Sequence, residues 1–383
     1  MKKRTSCFIL SMFLPAILAC PGRSGGPGRP VNKKAAQSPS RPTQEHRKPV
    51  LTLLQQYEDP VITVSSPSGG SNKYGFEGGR VLKIGDTYRM ITTEMIGEPR
   101  YVKTKLGYWT SQDRIHWMRI ATLYESSGEC AGKDPRAALW GPMPVYDEEY
   151  SRWNIFYVSY YCLPNTKTQW RINSAGEIWR AISMKKGLNG IGGPYMDAGI
   201  ILRPGAESES WEGLQGTDSF FPYRVGDIWY GFYGSANTEK LPVQHWRVGL
   251  AKALTLAGRW KRCAGLNPVQ LEKVYTENPI VTQVEDGTYL AVYDRATASD
   301  IPTAIGYTTS RDGIHWSEGI GLDLQPKGRG HWANRVNTPM GLIPEGNNKY
   351  TLFYTGEVGP PFSESIGFVT LKLEYTEPAQ EKK

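Results

Sequence analysis

One pattern recurs five times along the 383 residues, and this repetition limits the chain to an architecture of equivalent units. Each copy is a short apolar strand, a polar turn, and an aromatic-rich strand that ends in small or charged residues. The copies open at Phe76-Glu-Gly-Gly-Arg-Val, Trp140-Gly-Pro-Met-Pro-Val, Thr217-Asp-Ser-Phe-Phe-Pro-Tyr, Thr276-Glu-Asn-Pro-Ile-Val and Asn337-Thr-Pro-Met-Gly-Leu-Ile. With residues 77, 141, 218, 277 and 338 as equivalents, the spacings are 64, 77, 59 and 61 residues. The Gly, Asp and Asn residues between the two strands are those of tight hairpin turns.

Two units continue with a second hairpin of nearly identical sequence, Gly107-Tyr-Trp-Thr-Ser-Gln-Asp-Arg-Ile-His-Trp117 and Gly306-Tyr-Thr-Thr-Ser-Arg-Asp-Gly-Ile-His-Trp316. Asp113 and Asp312 are placed to tie these turns through their own backbone, and Trp117 and Trp316 to pack between units. His116 and His315 recur at one turn position and read as structural. Four strands per unit and five units predict an all-β, five-bladed β-propeller of four-stranded antiparallel blades. The last unit has one clear outer strand, Ile366 to Leu373. Its fourth strand is expected from Val61 to Ser65, so that an N-terminal strand closes the ring and leaves no open edge.

The formal charge of +8 would suggest a nucleic-acid partner if it were spread over the domain. Instead, residues 1–50 hold ten basic residues and one acid, Glu45, and the rest of the chain sits at −1. No nucleic-acid partner is expected. Met1-Lys-Lys-Arg followed by an apolar stretch to Ala19 has the layout of a signal peptide (1–19), too short for a membrane span. Ile17-Leu-Ala-Cys20 is similar to a bacterial lipobox, which makes Cys20 the candidate lipidation site. Residues 20–50, rich in Pro, Gly, Ser and basic side chains, read as a flexible tether, and 51–383 as the propeller domain. The chain is therefore expected at the bacterial cell envelope as an exported lipoprotein, touching the membrane through its lipid alone. An oxidising compartment permits a disulfide, with Cys130 and Cys162 the candidate pair. Scattered histidines and the lack of metal-ligand spacings predict no metal site.

In such a ring the start of each first strand and the end of each second strand face one central funnel. The starts are Glu77, Gly141, Asp218, Glu277 and Thr338. The ends include Glu94, Ser159, Gly234, Asp294 with Arg295, and Thr355 with Glu357. Acids gathered there repel one another when ionised, which raises a pKa as a general acid requires.

This layout over roughly residues 51–375 resembles the five-bladed propeller glycoside hydrolases of family 43 and its relatives. The resemblance implies catalytic roles for Glu77 as base or nucleophile, Asp218 as positioning acid and Glu277 as general acid. Glu77 departs from the family's Asp-Pro at that place, and its longer side chain alters the carboxylate separation on which stereochemistry depends. The candidate substrate-binding residues are Arg80, Glu94, Trp140, Asp294, Arg295 and Arg335; the three arginines could hold a sugar carboxylate, and Trp140 and Trp211 could stack on sugar rings. No cofactor is required, although the resemblance allows a structural calcium in the funnel. The expected activity is hydrolysis of oligosaccharides derived from polysaccharides, with an arabinofuranoside as first choice, by a monomer. The rival readings are a glycoside phosphorylase, which would need a basic cluster for phosphate, and a non-catalytic sugar-binding lipoprotein.

Overall fold

A computed structural model describes residues 48–66, 72–243, 245–296, 304–324, 331–359 and 362–376; the side chains of 335–337 are excluded from description. The candidate leader, Cys20 and nearly all of the candidate tether lie outside these residues. The described chain is all-β apart from a single 3-10 turn, Leu188–Gly192. No helix among the described residues is long and apolar enough to cross a membrane.

β1 (Lys48–Gln56) comes first. One antiparallel sheet then holds β2 (Gly75–Ile84), β3 (Thr87–Met95), β4 (Thr104–Ser111) and β5 (Trp117–Glu125). The next holds β6 (Ala138–Asp147), β7 (Arg152–Tyr161), β8 (Ser174–Lys186) and β9 (Tyr195–Leu202). An eight-stranded sheet follows. Its first half is β10 (Asp218–Val225), β11 (Ile228–Ala236), β12 (Trp246–Ala253) and β13 (Lys261–Arg262). Its second is β14 (Tyr275–Gln283), β15 (Tyr289–Ala296), β16 (Ala304–Ser310) and β17 (Ile320–Gly321). The halves are antiparallel within themselves and join through a single parallel pair, Trp246 with Tyr275. The last sheet is β18 (Arg335–Gly346), β19 (Lys349–Val358) and β20 (Ser363–Thr376), with β1 beside β20.

The fourth strand of the last sheet is thus Lys48–Gln56 and not Val61–Ser65. β1 pairs with β20 from Lys48–Thr376 to Gln56–Val369 and buries Pro49 and Leu51. Residues 61–65 cannot extend. Ile62 makes one isolated bridge to Ile366, after which the Thr63 amide donates to Ser66 Oγ (2.9 Å) and the Ser66 amide to Thr63 O (3.1 Å), closing a turn.

The first strands pack in sequence: β2 lies against β6 and β18, β10 against β6 and β14, and β14 against β18. Second strands are covered on both faces by neighbouring sheets, which explains runs such as Trp153-Asn-Ile-Phe-Tyr-Val-Ser-Tyr160. Fourth strands such as β5 are exposed on alternate residues. The repeated turns behave as their sequence requires: Asp113 Oδ1 accepts from the Ile115 and His116 amides, and Asp312 Oδ1 from those of Ile314 and His315. Trp117 meets Phe353 edge-on at 5.8 Å, crossing to a neighbouring sheet, and Trp316 lies 5.3 Å from Phe232, crossing between the two halves of the eight-stranded sheet.

Buried charge follows a rule of its own. Glu94 accepts from Trp109 Nε1 (2.9 Å) and pairs with Arg119 (2.8 Å). Asp197 pairs with Arg136 and accepts from Tyr157, Glu212 pairs with Arg262 and accepts from Tyr233, and Glu272 pairs with Arg295 and accepts from Tyr293. Each node joins a carboxylate, an arginine and an aromatic donor within or beside one sheet. Gly107 makes room for the first: a Cβ there would lie 1.9 Å from Glu94 Oε1. Gly107→Val should therefore destabilise the fold by about 3 kcal/mol or more, read as a lowered urea midpoint, because it drives a buried charged pair apart. The same substitution at Gly205, where the added carbon meets nothing within 4 Å and the backbone is not left-handed, should not carry this clash.

Candidate active site

The first strands share an irregularity that creates the site. The pairing register of β2, β6, β10, β14 and β18 against its partner slips by one residue near the start of each strand, after Glu77, Trp140, Asp218, Glu277 and Val336. In four of them the next residue has a left-handed backbone: Gly78 (φ 65°), Gly141 (φ 56°), Ser219 (φ 52°) and Asn278 (φ 50°). A β-bulge of this kind re-aims the preceding side chain. Glu77, Trp140, Asp218 and Glu277 all line one cavity of about 400 Å³. The structural equivalent of Glu77 in the second unit is therefore Trp140 and not Gly141, the position taken from sequence spacing.

Each acid has its own surroundings. Asp218, 7% exposed, accepts from the Ser219 amide (2.7 Å) and lies 3.5 Å from Gln215 Nε2, which also donates to Tyr160 Oη (3.1 Å). Glu277 accepts a hydrogen bond from the Tyr275 hydroxyl. Tyr275 and Glu277 are two apart on one strand and so share a face. Burial, then the charges of Asp218 and Asp294, push the Glu277 carboxyl well above the usual range; the Tyr275 hydrogen bond opposes this. Glu77 is raised to about 7, first by burial and then by Glu357 and Asp218, with Arg100 pulling the other way. One carboxyl that stays protonated and one that titrates near neutrality thus face a shared space, an arrangement able to donate and accept a proton across a bond held between them.

Asp294 lies beneath the floor. It pairs in register with Glu277, and its Oδ2 accepts from Asn278 Nδ2 (3.0 Å) and Thr338 Oγ1 (3.1 Å), both cavity-lining residues. It is almost wholly buried, and burial pushes its carboxyl well up. Among the other candidates, Glu94 and Arg295 are consumed by the nodes described above. Arg80 donates to Pro144 O (2.7 Å) and stacks on Phe221. None of these three lines the cavity. Trp211 also lies off it, packed 5.4 Å from Tyr233. The Arg335 side chain is outside the described residues.

The cavity wall includes residues that the repeat pattern did not single out. Arg100 approaches Glu357 (3.6 Å) and Glu364 (3.7 Å) and lies over the Tyr101 ring. Tyr101 O accepts from both Trp140 Nε1 and Asn173 Nδ2 at 3.0 Å. Trp170, Trp246, Tyr275 and Phe362 add aromatic surface. Most come from the connections between the second and third strands of a unit, whose lengths and sequences do not repeat; Tyr275 alone could have been found, as the same-face neighbour of Glu277. Cys130 and Cys162 are joined in a disulfide at the root of the connection that carries Trp170 and Asn173; Cys263 is free. Among the described residues, no group of three or more His, Cys, Asp or Glu side chains is arranged to hold a metal ion.

No protein-family model and no curated protein matches the chain by sequence. Solved structures do match by shape. A glycoside hydrolase shares 16% identity at a TM-score of 0.61, over 81% of this chain and 90% of its own. A family 117 glycoside hydrolase from the marine bacterium Zobellia galactanivorans shares 12% at 0.56, over 85% and 90%. A thermostable family-43 glycoside hydrolase shares 14% at 0.51, over 83% and 97%. At these identities the likeness establishes the fold, that of the propeller glycoside hydrolases.

The acid cluster has a measurable consequence for stability. Glu77 carries a folded pKa near 7 against an ordinary 4.5, so the folded state binds the extra proton between those values. Stability from this group is full below about pH 4.5 and is lost as the pH rises through 7. Glu77→Gln should match the wild type near pH 4 and exceed it progressively above, by about 3 kcal/mol at most near pH 8, in urea melts across that range.

Proposed function

We propose that the chain is a five-bladed β-propeller, closed by β1 in its last blade, that hydrolyses O-glycosidic bonds in oligosaccharides. Cyclic packing of the first strands and the pairing of β1 with β20 support the ring. The observation that carries the activity is the convergence of Glu77, Asp218 and Glu277 on one cavity of about 400 Å³ with aromatic walls.

Glu277, kept protonated by burial and by Asp218 and Asp294, gives its proton to the leaving-group oxygen. Glu77, partly ionised near neutrality, activates water or attacks the anomeric carbon. Asp218 holds the donor in place electrostatically, and developing positive charge on the sugar is stabilised by the remaining carboxylates. Trp140, Tyr101 and Trp170 offer faces for sugar rings. Arg100 is the single Lys or Arg side chain among the described lining residues and already faces two glutamates. That favours water over phosphate as the acceptor. An arabinofuranoside is the first substrate to try. The N-terminal pattern ending in Cys20 supports an exported lipoprotein, acting as a monomer at the envelope.

On a panel of aryl glycosides and oligosaccharides, Glu277→Gln should lower kcat by 10²–10⁴-fold with an unchanged circular-dichroism spectrum. Undiminished turnover in that variant would refute the assignment, and the anomer released by the wild type reads out inversion or retention. Tyr275→Phe removes a hydrogen bond that favours ionised Glu277. Its kcat should drop about tenfold and the alkaline limb of its pH profile should move to higher pH.

A further inference from the structure

Two acids on the wall of the catalytic cavity have no part in the proton transfers. Glu357, near the end of β19, and Glu364, near the start of β20, are direct partners across the hairpin. Side chains opposed in this way share a face and stand about 5 Å apart. Both line the cavity, at 5% and 3% exposure. Like charges side by side in a buried place are destabilising, and Arg100 offsets part of that cost: its Nη2 stands 3.6 Å from Glu357 and 3.7 Å from Glu364. At these distances Nη2 balances charge without hydrogen-bonding either acid. The guanidinium lies over the Tyr74, Tyr101 and Phe362 rings. The hairpin end is fixed against the first unit: the Glu364 amide donates to Tyr74 O (2.9 Å), and a Cβ on Gly75 would lie 2.0 Å from Glu364 O. Glu77 follows Gly75 by two residues on β2, so the pair stands on the Glu77 side of the cavity.

We propose that Glu357 and Glu364 read the sugar that Glu77 faces, each accepting a hydrogen bond from one of its hydroxyls. This rests on the hydrolase reading and adds to it the groups that select the glycone. A carboxylate offers about four acceptor directions and no donor, so the pair suits hydroxyls, which donate, and opposes a sugar carboxylate or sulfate, which only accept. Arg100, the single Lys or Arg side chain among the described lining residues, is already set against both acids, so it favours no anionic sugar. A hydroxyl bonded to a charged acceptor in a nearly buried site discriminates strongly. An analogue without that hydroxyl leaves the carboxylate desolvated and unmatched.

The test takes the 4-nitrophenyl glycosides of L-arabinofuranose, D-xylose, D-galactose and D-mannose, with kcat/KM for turnover and calorimetric titration for binding. The best of them is then compared with its singly deoxygenated analogues. In the wild type, loss of one of the two hydroxyls should lower kcat/KM by about tenfold to 10²-fold. Glu357→Asp and Glu364→Asp keep the charge but withdraw the oxygens. Each should cost the parent glycoside about tenfold, yet cost the analogue that lacks its hydroxyl less than about threefold. An equal loss for the parent and every analogue, or no loss at all, overturns the proposal. Should these variants not fold, the crystal structure of Glu277→Gln with the best glycoside decides. A sugar hydroxyl within about 3.2 Å of each carboxylate supports the pair, and a carboxylate without one overturns it. If a glycoside binds but none is cleaved, the hydrolase reading fails and the same comparisons, made on Kd, judge the pair. If none binds, both fail.

Discussion

The site depends on a one-residue slip in the register of each first strand. A regular strand would send successive side chains to opposite faces along the whole length of the sheet. The extra residue breaks that alternation at the level of Glu77, Trp140, Asp218 and Glu277, and the left-handed residue that follows turns the strand start inward. Glycine accepts that conformation freely in the first two cases. Asn278 tolerates it, and its side chain is tied by Asp294. Ser219 adopts it while its amide donates to Asp218, so one local geometry both aims the acid and supplies a hydrogen bond to it.

Having aimed several carboxyls at one space, the fold must keep its other charges away from them. The carboxylate–arginine–aromatic nodes do this. Glu94, Asp197, Glu212 and Glu272 are each neutralised by an arginine and capped by an indole or phenol. Gly107 opens the space for one node; Gly306, with the Tyr293 ring 2.8 Å from where a Cβ would stand, does so for another. The cavity keeps its excess of acid, opposed among the described lining residues by Arg100 alone. Burial, and after it repulsion among the neighbouring acids, raises Glu77 and Glu277, and for Glu77 this lowers stability at neutral pH.

Much of this was legible in the sequence. The repeated hairpins, the Asp113 and Asp312 turns, the tryptophans between units and the three acids at strand starts all follow from local rules, because each depends on residues only a few positions apart. What failed to transfer was direction. Arg80, Glu94 and Arg295 lie close in sequence to cavity residues, yet point into sheets or across the axis, since alternation along a strand and the bulge together decide which way a side chain faces. The closing strand was misplaced for a related reason: Val61 to Val64 is apolar enough for a strand, but its following turn holds itself shut while Pro49 and Leu51 fill the outer face of β20.

The sequence by itself determined the all-β class, the fivefold pattern, the turn chemistry and the presence of acids at equivalent places, all properties of short windows and their repetition. Only the tertiary structure decided which acids meet, that Trp140 stands in the second unit where others carry a carboxyl, and that Arg100, Tyr101, Trp170 and Tyr160 complete the wall. Those residues come from different sheets and from connections of unequal length. Their proximity arises from the packing of whole sheets around an axis, a constraint that no single stretch of chain contains.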